Sequence, residues 1–137
     1  MQGELARKLG LRPGQAVLLI DAPPSADRRL RDAAPAGVRF VRSATAHVDQ
    51  VFWWPKDLSR LASALARLQK RLQSDGAVWI VMPKKPFAAA RGIRFTWEAM
   101  QAEGLKGDFV DNKIASFDDQ DYATRFVVRK TRRTKPL

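Results

Sequence analysis

The sequence contains no cysteine and a single histidine. The first absence excludes disulfide bonds and cysteine-held metals. His47 has no accompanying nucleophile or set of metal ligands, so we interpret it as a loop residue and expect no metal site. Long apolar runs are also absent, because Ala16–Ile20 and residues 77–82, the longest ones, fall far short of the ~20 residues that span a bilayer. Since the N-terminus shows no signal-peptide pattern either, we expect a soluble cytoplasmic protein with no membrane partner.

Acidic residues are too few to balance the basic ones, and the net charge is +11. Much of the excess lies near the C-terminus, where no acidic residue follows Arg125. The candidate nucleic-acid contacts in that segment are Arg129, Lys130, Arg132, Arg133 and Lys135. Such a segment can bind nucleic acid by neutralising phosphates, or it can be a solvated end that only adds solubility. We divide the chain into one folded domain over residues 1–130 and a basic, disordered tail over residues 131–137.

The first half of the chain shows a strand–helix–strand pattern. A hydrophobic content of 45% in 137 residues is enough for the core of one domain. Ala16–Ile20 is a continuous apolar run, typical of a strand buried on both faces of a parallel sheet. The further elements predicted here are a helix over residues 25–34 with Ser25 or Asp27 as its N-cap, and strands over residues 38–41 and 48–54.

In the second half, leucines recur at three- and four-residue steps from Leu58 to Leu72. This spacing predicts an amphipathic helix that Asp57 begins and Gly76 ends. The elements predicted to follow are a strand over residues 77–82, a helix over 96–103, and strands over 108–117 and 123–129. The acidic turn between the last two predicts a hairpin. Together the two halves predict a Rossmann-like, doubly wound α/β fold, whose mostly parallel sheet ends in a C-terminal antiparallel hairpin.

The loops after Asp21, Trp54 and Met82 should meet at one end of this sheet, because right-handed crossovers bring the carboxyl ends of parallel strands together. Ligands bind at that end in such folds. Our candidate ligand-binding residues are Asp21, Ala22, Pro23, Trp54, Lys84, Lys85 and Asn112. The two lysines suit an anionic ligand, or they form an ordinary solvated pair. Asn112, which interrupts an apolar strand, reaches the cleft or marks a β-bulge.

Tryptophan is placed at three informative positions in the predicted strands. Trp53 and Trp54 are neighbours in one strand, so they should point to opposite faces of the sheet. Trp79 lies within an apolar run and is expected in the core.

Three stretches together resemble the core of class I S-adenosylmethionine-dependent methyltransferases. Residues 11–21 resemble its lead-in and first strand. Residues 49–54, the leucine-rich helix and residues 72–81 resemble its fourth strand, the following helix and its fifth strand. The closing hairpin is similar to its antiparallel sixth and seventh strands. The resemblance implies the same fold, in which this chain is missing one strand–helix unit.

The chain also resembles an uncharacterised bacterial family, domain of unknown function 3052. The residues that carry this resemblance are Leu19-Ile-Asp-Ala-Pro23, Gly37-Val-Arg-Phe-Val-Arg42, Val81-Met-Pro-Lys-Lys85, Val110-Asp-Asn-Lys113 and Arg125-Phe-Val-Val-Arg-Lys130. They span nearly the whole length in order. Membership implies a reduced version of the methyltransferase core and no established activity.

The segment after the first strand argues against the cofactor of those methyltransferases. Their glycines there let the backbone approach S-adenosylmethionine closely, whereas this chain has Asp21-Ala-Pro-Pro, whose prolines remove backbone donors. The second strand ends in Arg42 and Ser43 instead of an acidic residue that would bind ribose hydroxyls. We therefore expect no cofactor and disfavour S-adenosylmethionine.

These observations lead us to predict a non-catalytic Rossmann-like domain that binds a small anionic ligand. No catalytic residue is recognisable in the sequence. Two alternatives stay open. One is a divergent S-adenosylmethionine-dependent methyltransferase in which Asp21 and Asn112 contact the cofactor. The other is a nucleic-acid-associated protein that uses its basic C-terminal tail.

Overall fold

The computed structural model describes residues 3–43 and 47–132 of the chain. Its strands are β1 (Ala16–Ile20), β2 (Arg39–Val41), β3 (Val48–Trp53), β4 (Leu72–Pro83), β5 (Phe109–Ser116) and β6 (Asp121–Val128). Its helices are α1 (Gly3–Leu9), α2 (Pro24–Ala33), α3 (Leu61–Gln69), α4 (Lys85–Ala88) and α5 (Trp97–Gly104), and Lys130–Arg132 form a short 3-10 helix.

The six strands form one sheet in the order β2-β1-β3-β4-β6-β5. β1 runs parallel to β2 and β3, and β3 runs parallel to β4, whereas β6 is antiparallel to both β4 and β5. This confirms the predicted fold, a doubly wound, mostly parallel sheet with a C-terminal antiparallel hairpin. Only residues 42–47 connect β2 to β3, and a stretch that short has no room for a strand and a helix.

Both faces of the sheet are covered by helices. On one face, Leu30 of α2 shares a core with Phe52 and Trp79, whose rings stack with 5.9 Å between centroids. On the other face, Leu65 of α3 shares a core with Ile80 of β4. The central strands are therefore buried on both sides, which explains why their sequences are continuous apolar runs without alternation.

Gln50 is a buried polar residue in the middle of β3, and its amide group is fully used. Its Nε2 donates to the carbonyl of Gly10 (2.8 Å) and to Oε1 of Gln15 (3.1 Å), and its Oε1 accepts from Nε1 of Trp79 (2.8 Å). These bonds tie the loop between α1 and β1 to the centre of the sheet. Trp79 itself is fully buried, as predicted.

The boundary between α3 and β4 differs from the prediction. The helix ends at Gln69, and β4 begins at Leu72, which pairs with Val48. Residues 72–76 therefore belong to a strand instead of a helix end. Gly76 does not adopt a left-handed turn there, but a Cβ on it would lie 2.8 Å from the carbonyl oxygen of Asp49. The close approach of β3 explains the glycine.

The start of α3 also differs from the prediction. Arg60, not Asp57, is the residue that precedes the first helical turn. Asp57 instead closes the turn before the helix, where its Oδ1 accepts from the backbone N (3.0 Å) and the hydroxyl (2.5 Å) of Ser59. These hydrogen bonds from Ser59 favour the ionised carboxylate and lower the pKa of Asp57.

Candidate functional site

Strands β1, β3 and β4 end at the same edge of the sheet, as predicted, and a cavity of about 170 Å³ lies there. We call it the strand-end cavity. It is lined by the charged residues Asp21, Lys56 and Arg91 and by the apolar residues Pro23, Trp54, Pro55, Val81, Pro83 and Ile93. The structure thus brings Asp21, Pro23 and Trp54 together from our candidate set. Lys56 and Arg91 were not predicted, because nothing in the sequence places their loops over this edge.

Asp21 makes the turn out of β1 in a left-handed backbone conformation, with φ of 57°. No other non-glycine residue in the described ranges has a positive φ. Glycine adopts this conformation most readily, and aspartate and asparagine tolerate it best among the other residues. The conformation costs on the order of 1 kcal/mol, and strain of this kind is typically retained at functional sites. Asp21 is exposed and forms part of the wall of the strand-end cavity.

The two prolines after Asp21, which we expected to change the loop geometry by removing backbone donors, lie at the start of a helix. Helix α2 begins at Pro24 with Pro23 as the N-cap residue, instead of Ser25 or Asp27. The first N–H groups of a helix have no partner within the helix, so proline loses no hydrogen bond there. Pro23 uses its carbonyl oxygen to accept from the backbone N of Asp27 (2.9 Å). The angle that a glycine would supply is supplied by Asp21.

Trp54 brings a buried hydrogen-bond donor to the strand-end cavity. It is 5% exposed, and its ring meets that of Phe117 edge to face at 5.8 Å. Its Nε1 has no hydrogen-bond partner in the part of the chain that the structure describes. Buried N–H groups normally have an acceptor, so the lack of one at Trp54 is a departure from the usual pattern. Trp53 belongs to the core on the opposite face, as strand alternation predicted.

An ion pair lies where the strand-end cavity borders a second cavity of about 380 Å³, since Asp121 lines only the second one. Nη1 of Arg91 contacts Oδ1 of Asp121, and Nη2 contacts Oδ2 at 3.3 Å. The Asp121 side chain is 4% exposed and that of Arg91 30%. The guanidinium therefore shields the carboxylate from solvent. The pair fastens the segment after α4 to the start of β6, and Arg91 lines both cavities.

Lys84 and Lys85 line neither of these cavities. Nζ of Lys84 donates to the carbonyl of Asp118 (2.9 Å) and to the hydroxyl of Ser116 (3.3 Å), so this lysine holds the turn between β5 and β6. Lys85 is exposed at the first position of α4. Their ligand-binding role stays a prediction, and neither residue is part of the lining of the strand-end cavity.

Asn112 and Ala22 also lie outside the lining of the strand-end cavity. The pairing of β5 with β6 shifts register between Asp111 and Lys113, so Asn112 marks a β-bulge on an edge strand and not an approach to the cleft. Its Oδ1 accepts from Nη1 of Arg125 (3.3 Å). Ala22 is partly buried against the core beneath α2.

The candidate nucleic-acid residues are described only in part. Arg129 and Lys130 are exposed after β6, and Arg132 lies in the 3-10 helix. Arg133 and Lys135 lie outside the described residues, as does most of the predicted disordered tail. His47 is exposed just before β3, in agreement with the loop interpretation.

Within residues 3–43 and 47–132, no three histidine or acidic side chains lie close enough together to hold a metal ion. None of the helices described is both long and apolar enough to cross a membrane.

No known protein family matches the chain, and no curated protein matches it in sequence. The resemblance to domain of unknown function 3052 is therefore not confirmed.

Solved structures do share the fold. A protein described as a type 11 methyltransferase from Sulfolobus solfataricus has a TM-score of 0.61 at 13% identity, covering 98% of this chain and 95% of that one. The N-methyltransferase NodS from Bradyrhizobium japonicum has a TM-score of 0.56 at 12% identity, covering 94% of each chain. A S-adenosylmethionine-dependent methyltransferase from Thiobacillus denitrificans has a TM-score of 0.57 at 11% identity, covering 93% of this chain and 90% of that one. At such identities the similarity shows the fold alone: the chain has a methyltransferase-like Rossmann core.

This comparison corrects our expectation that the chain takes no cofactor. The Thiobacillus denitrificans protein, which has a similar fold, is in complex with S-adenosyl-L-homocysteine. The physical reason for the error lies in the loop after β1. We inferred from its prolines that the usual backbone geometry was lost. However, Asp21 adopts a positive φ like that of glycine, and the prolines lie at the start of α2, where no helical hydrogen bond needs their N–H groups.

Proposed function

We propose that the chain is a divergent S-adenosylmethionine-dependent methyltransferase that holds its cofactor in the strand-end cavity. The observation that carries the proposal is Asp21, strained into a left-handed conformation at the end of β1 and exposed at this cavity. The methyltransferase-like core supports the same reading. It favours this alternative over the non-catalytic anion-binding domain that we predicted first.

The residues around the strand-end cavity fit the chemical groups of S-adenosylmethionine. The Asp21 carboxylate can accept hydrogen bonds from hydroxyl or ammonium groups, and the unpartnered N–H of Trp54 can donate to a carboxylate. Lys56 adds positive charge for the same carboxylate, whereas the charge of Arg91 is already paired with Asp121. The remaining walls are apolar and suit a purine base.

The size of the cavity agrees with partial enclosure of the cofactor. Pockets for drug-sized ligands measure roughly 300–1,000 Å³, and the strand-end cavity alone measures about 170 Å³. The second cavity, of about 380 Å³, shares Pro23 and Arg91 with it. A ligand the size of S-adenosylmethionine would therefore extend from the strand-end cavity past Pro23. When bound, the cofactor supplies an electrophilic methyl group on a positively charged sulfur.

Calorimetry with S-adenosylmethionine and S-adenosyl-L-homocysteine tests the proposal. We expect Asp21→Asn to weaken binding by about tenfold, because asparagine keeps the left-handed backbone but removes the charge. Asp75→Asn is the matched control, since Asp75 is an exposed aspartate near the start of β4, whereas the cavity is lined by Val81 and Pro83 at the end of that strand. Trp54→Phe, which removes the buried donor, should also weaken binding. Absence of any binding at millimolar ligand would contradict the proposal.

Transfer activity needs a separate measurement. Radiolabelled S-adenosylmethionine offered with pools of nucleic acid, protein and small molecules should label an acceptor in the presence of the wild-type chain. Labelling should fall with Asp21→Asn and persist with Asp75→Asn. Tight cofactor binding without labelling of any pool would contradict methyl transfer, while leaving the cofactor site itself supported.

A further inference from the structure

A third cavity, of about 460 Å³, lies on the other face of the sheet, between the carboxyl ends of β1 and β3 and the length of α3. We call it the α3 groove. Its floor is formed by Ile20, Trp53 and Leu68, and its rim carries Arg60, Arg67 and Arg71. Its volume falls within the range of roughly 300–1,000 Å³ that is typical of small-molecule sites.

The three arginines follow one stripe of α3 and its flanking residues. Positions 60, 64, 67, 68 and 71 recur at three- and four-residue steps, which places them on the same side of a helix. All three arginines are exposed, and in the described part of the chain the side chains of Arg67 and Arg71 make no hydrogen bond or ion pair. Arg60 lies within electrostatic reach of Asp57. The rim thus presents two guanidinium groups without a carboxylate partner.

An arginine-bearing helix face is often only a solvated surface, and the floor of the groove distinguishes this one. Trp53 is 9% exposed and Leu68 8%, and both belong to the core, so an apolar surface lies directly beneath the charged rim. Asp21 is the single acidic residue among the described lining residues, at one end of the groove. The guanidinium group pairs with carboxylate or phosphate through two parallel hydrogen bonds. An apolar floor beneath guanidinium groups matches a ligand that has both an apolar part and an anionic group.

We propose that the α3 groove binds an amphipathic anion, with an apolar chain or ring on the floor and a carboxylate or phosphate at Arg67 and Arg71. The proposal is independent of the cofactor proposal, because the strand-end cavity uses Trp54 on the opposite face and neither of these arginines. Asp21 alone is common to both sites, and the variants below leave it unchanged.

The test uses the full chain and 8-anilinonaphthalene-1-sulfonate as the fluorescent amphipathic anion. Decanoate and decyl phosphate are then added as competitors to distinguish carboxylate from phosphate, and methyl decanoate serves as the uncharged competitor. We expect both anions to displace the probe and the ester to displace it weakly. The double variant Arg67→Gln/Arg71→Gln should weaken probe and anion binding by about tenfold or more.

The control variant Arg12→Gln/Arg28→Gln removes the same charge from two exposed arginines elsewhere. It should leave probe binding within about twofold of wild type, as expected of a screened, distant effect. Ala64→Phe fills the groove between the arginines and should block binding of the probe and of both anions. Its unfolding midpoint in urea should stay close to that of the wild type. Equal weakening by both arginine double variants, or no probe binding to the wild type, would overturn the proposal. S-adenosylmethionine binding is measured on the same variants and should not change.

Discussion

Asp21 is where the physical chemistry of this chain is most unusual. A non-glycine residue in the left-handed region is strained, yet its side chain is the one acidic group that borders both the strand-end cavity and the α3 groove. Glycine would remove the strain and the charge together. Aspartate keeps the turn at a cost on the order of 1 kcal/mol and adds a hydrogen-bond acceptor where the parallel strands end. The strain is therefore consistent with a residue that is there for binding.

Tyr122 offers a prediction at the scale of one residue, because it is the sole tyrosine of the sequence. Burial raises its pKa above the ordinary value of 10.0, and the nearby Glu98 carboxylate raises it further. The folded chain thus favours the neutral phenol, and the stability that this contributes is present below pH ~10 and is lost as the pH rises through the folded pKa. Ultraviolet absorbance of the phenolate should show a midpoint above 10.0.

Glu98→Gln separates the two causes. The midpoint should fall relative to the wild type but stay above 10.0, since burial is the larger cause and remains. Urea midpoints measured beside the titration should decrease at high pH in parallel. A wild-type midpoint at or below 10.0 would contradict the burial of this phenol.

At the scale of elements, the sequence predicts β1 and the position of α5 well. Ala16–Ile20 has the predicted bounds. The helix predicted over residues 96–103 spans Trp97–Gly104, and Thr96 caps it, since its Oγ1 accepts from the backbone N of Ala99 (3.1 Å). The end of α3 was misplaced, because Leu72 continues the leucine spacing of the helix. Leu72 instead pairs with Val48 and therefore belongs to a strand. Because Val48 lies 24 positions away in the sequence, the residues around Leu72 alone do not predict this pairing.

The candidate site was predictable only in part, because some of its residues follow from the strand order and others depend on contacts between distant segments. Asp21 and Trp54 follow from the rule that parallel strands end at one edge of the sheet. Lys84 follows β4 and was predicted on the same ground, but its Nζ is engaged by the carbonyl of Asp118. That contact depends on the shape of the β5–β6 turn. Arg91 is held at the cavity by its ion pair with Asp121. The local sequence around either residue does not indicate that the two will meet.

The contact between α5 and β6 yields a prediction with a matched control. Gly104 is buried at the end of α5, and a Cβ there would lie 2.5 Å from Cε1 and 2.7 Å from Cζ of Phe126. Phe126 is itself fully buried, so its close-packed neighbours in the core resist movement of the ring. Gly104→Ala should therefore lower the free energy of unfolding by about 1–3 kcal/mol, even though alanine favours helix.

Gly107→Ala provides the comparison, because no atom lies within 4 Å of a Cβ at that exposed position. Its effect should stay within about 0.5 kcal/mol of the wild type. Urea unfolding followed by far-ultraviolet circular dichroism measures both variants. Equal midpoints for the two alanine variants would show that α5 can move away from β6, against the packing described here.

For the whole molecule, the direction of β6 separates the basic tail from the strand-end cavity. Asp121 at the start of β6 pairs with Pro83 at the end of β4, and the antiparallel strand then runs to the opposite edge of the sheet. Eight residues of strand span roughly 25 Å. Val128, the last residue of β6, therefore lies at the end of the sheet away from the cavity. Any nucleic-acid binding by the tail should be independent of cofactor binding.

Truncation after Lys130 tests this independence and the predicted role of the tail together. The deletion removes Arg132, Arg133 and Lys135 from a chain whose net charge is +11. If the tail contacts phosphates, the slope of log affinity against log salt for a single-stranded oligonucleotide should become shallower by about 2, at ~0.7 for each lost contact. Fluorescence anisotropy over a salt series measures the slope, and calorimetry should show unchanged affinity for S-adenosylmethionine. An unchanged slope would contradict the tail prediction, and a slope reduced instead by Arg67→Gln/Arg71→Gln would assign the phosphate contacts to the α3 groove.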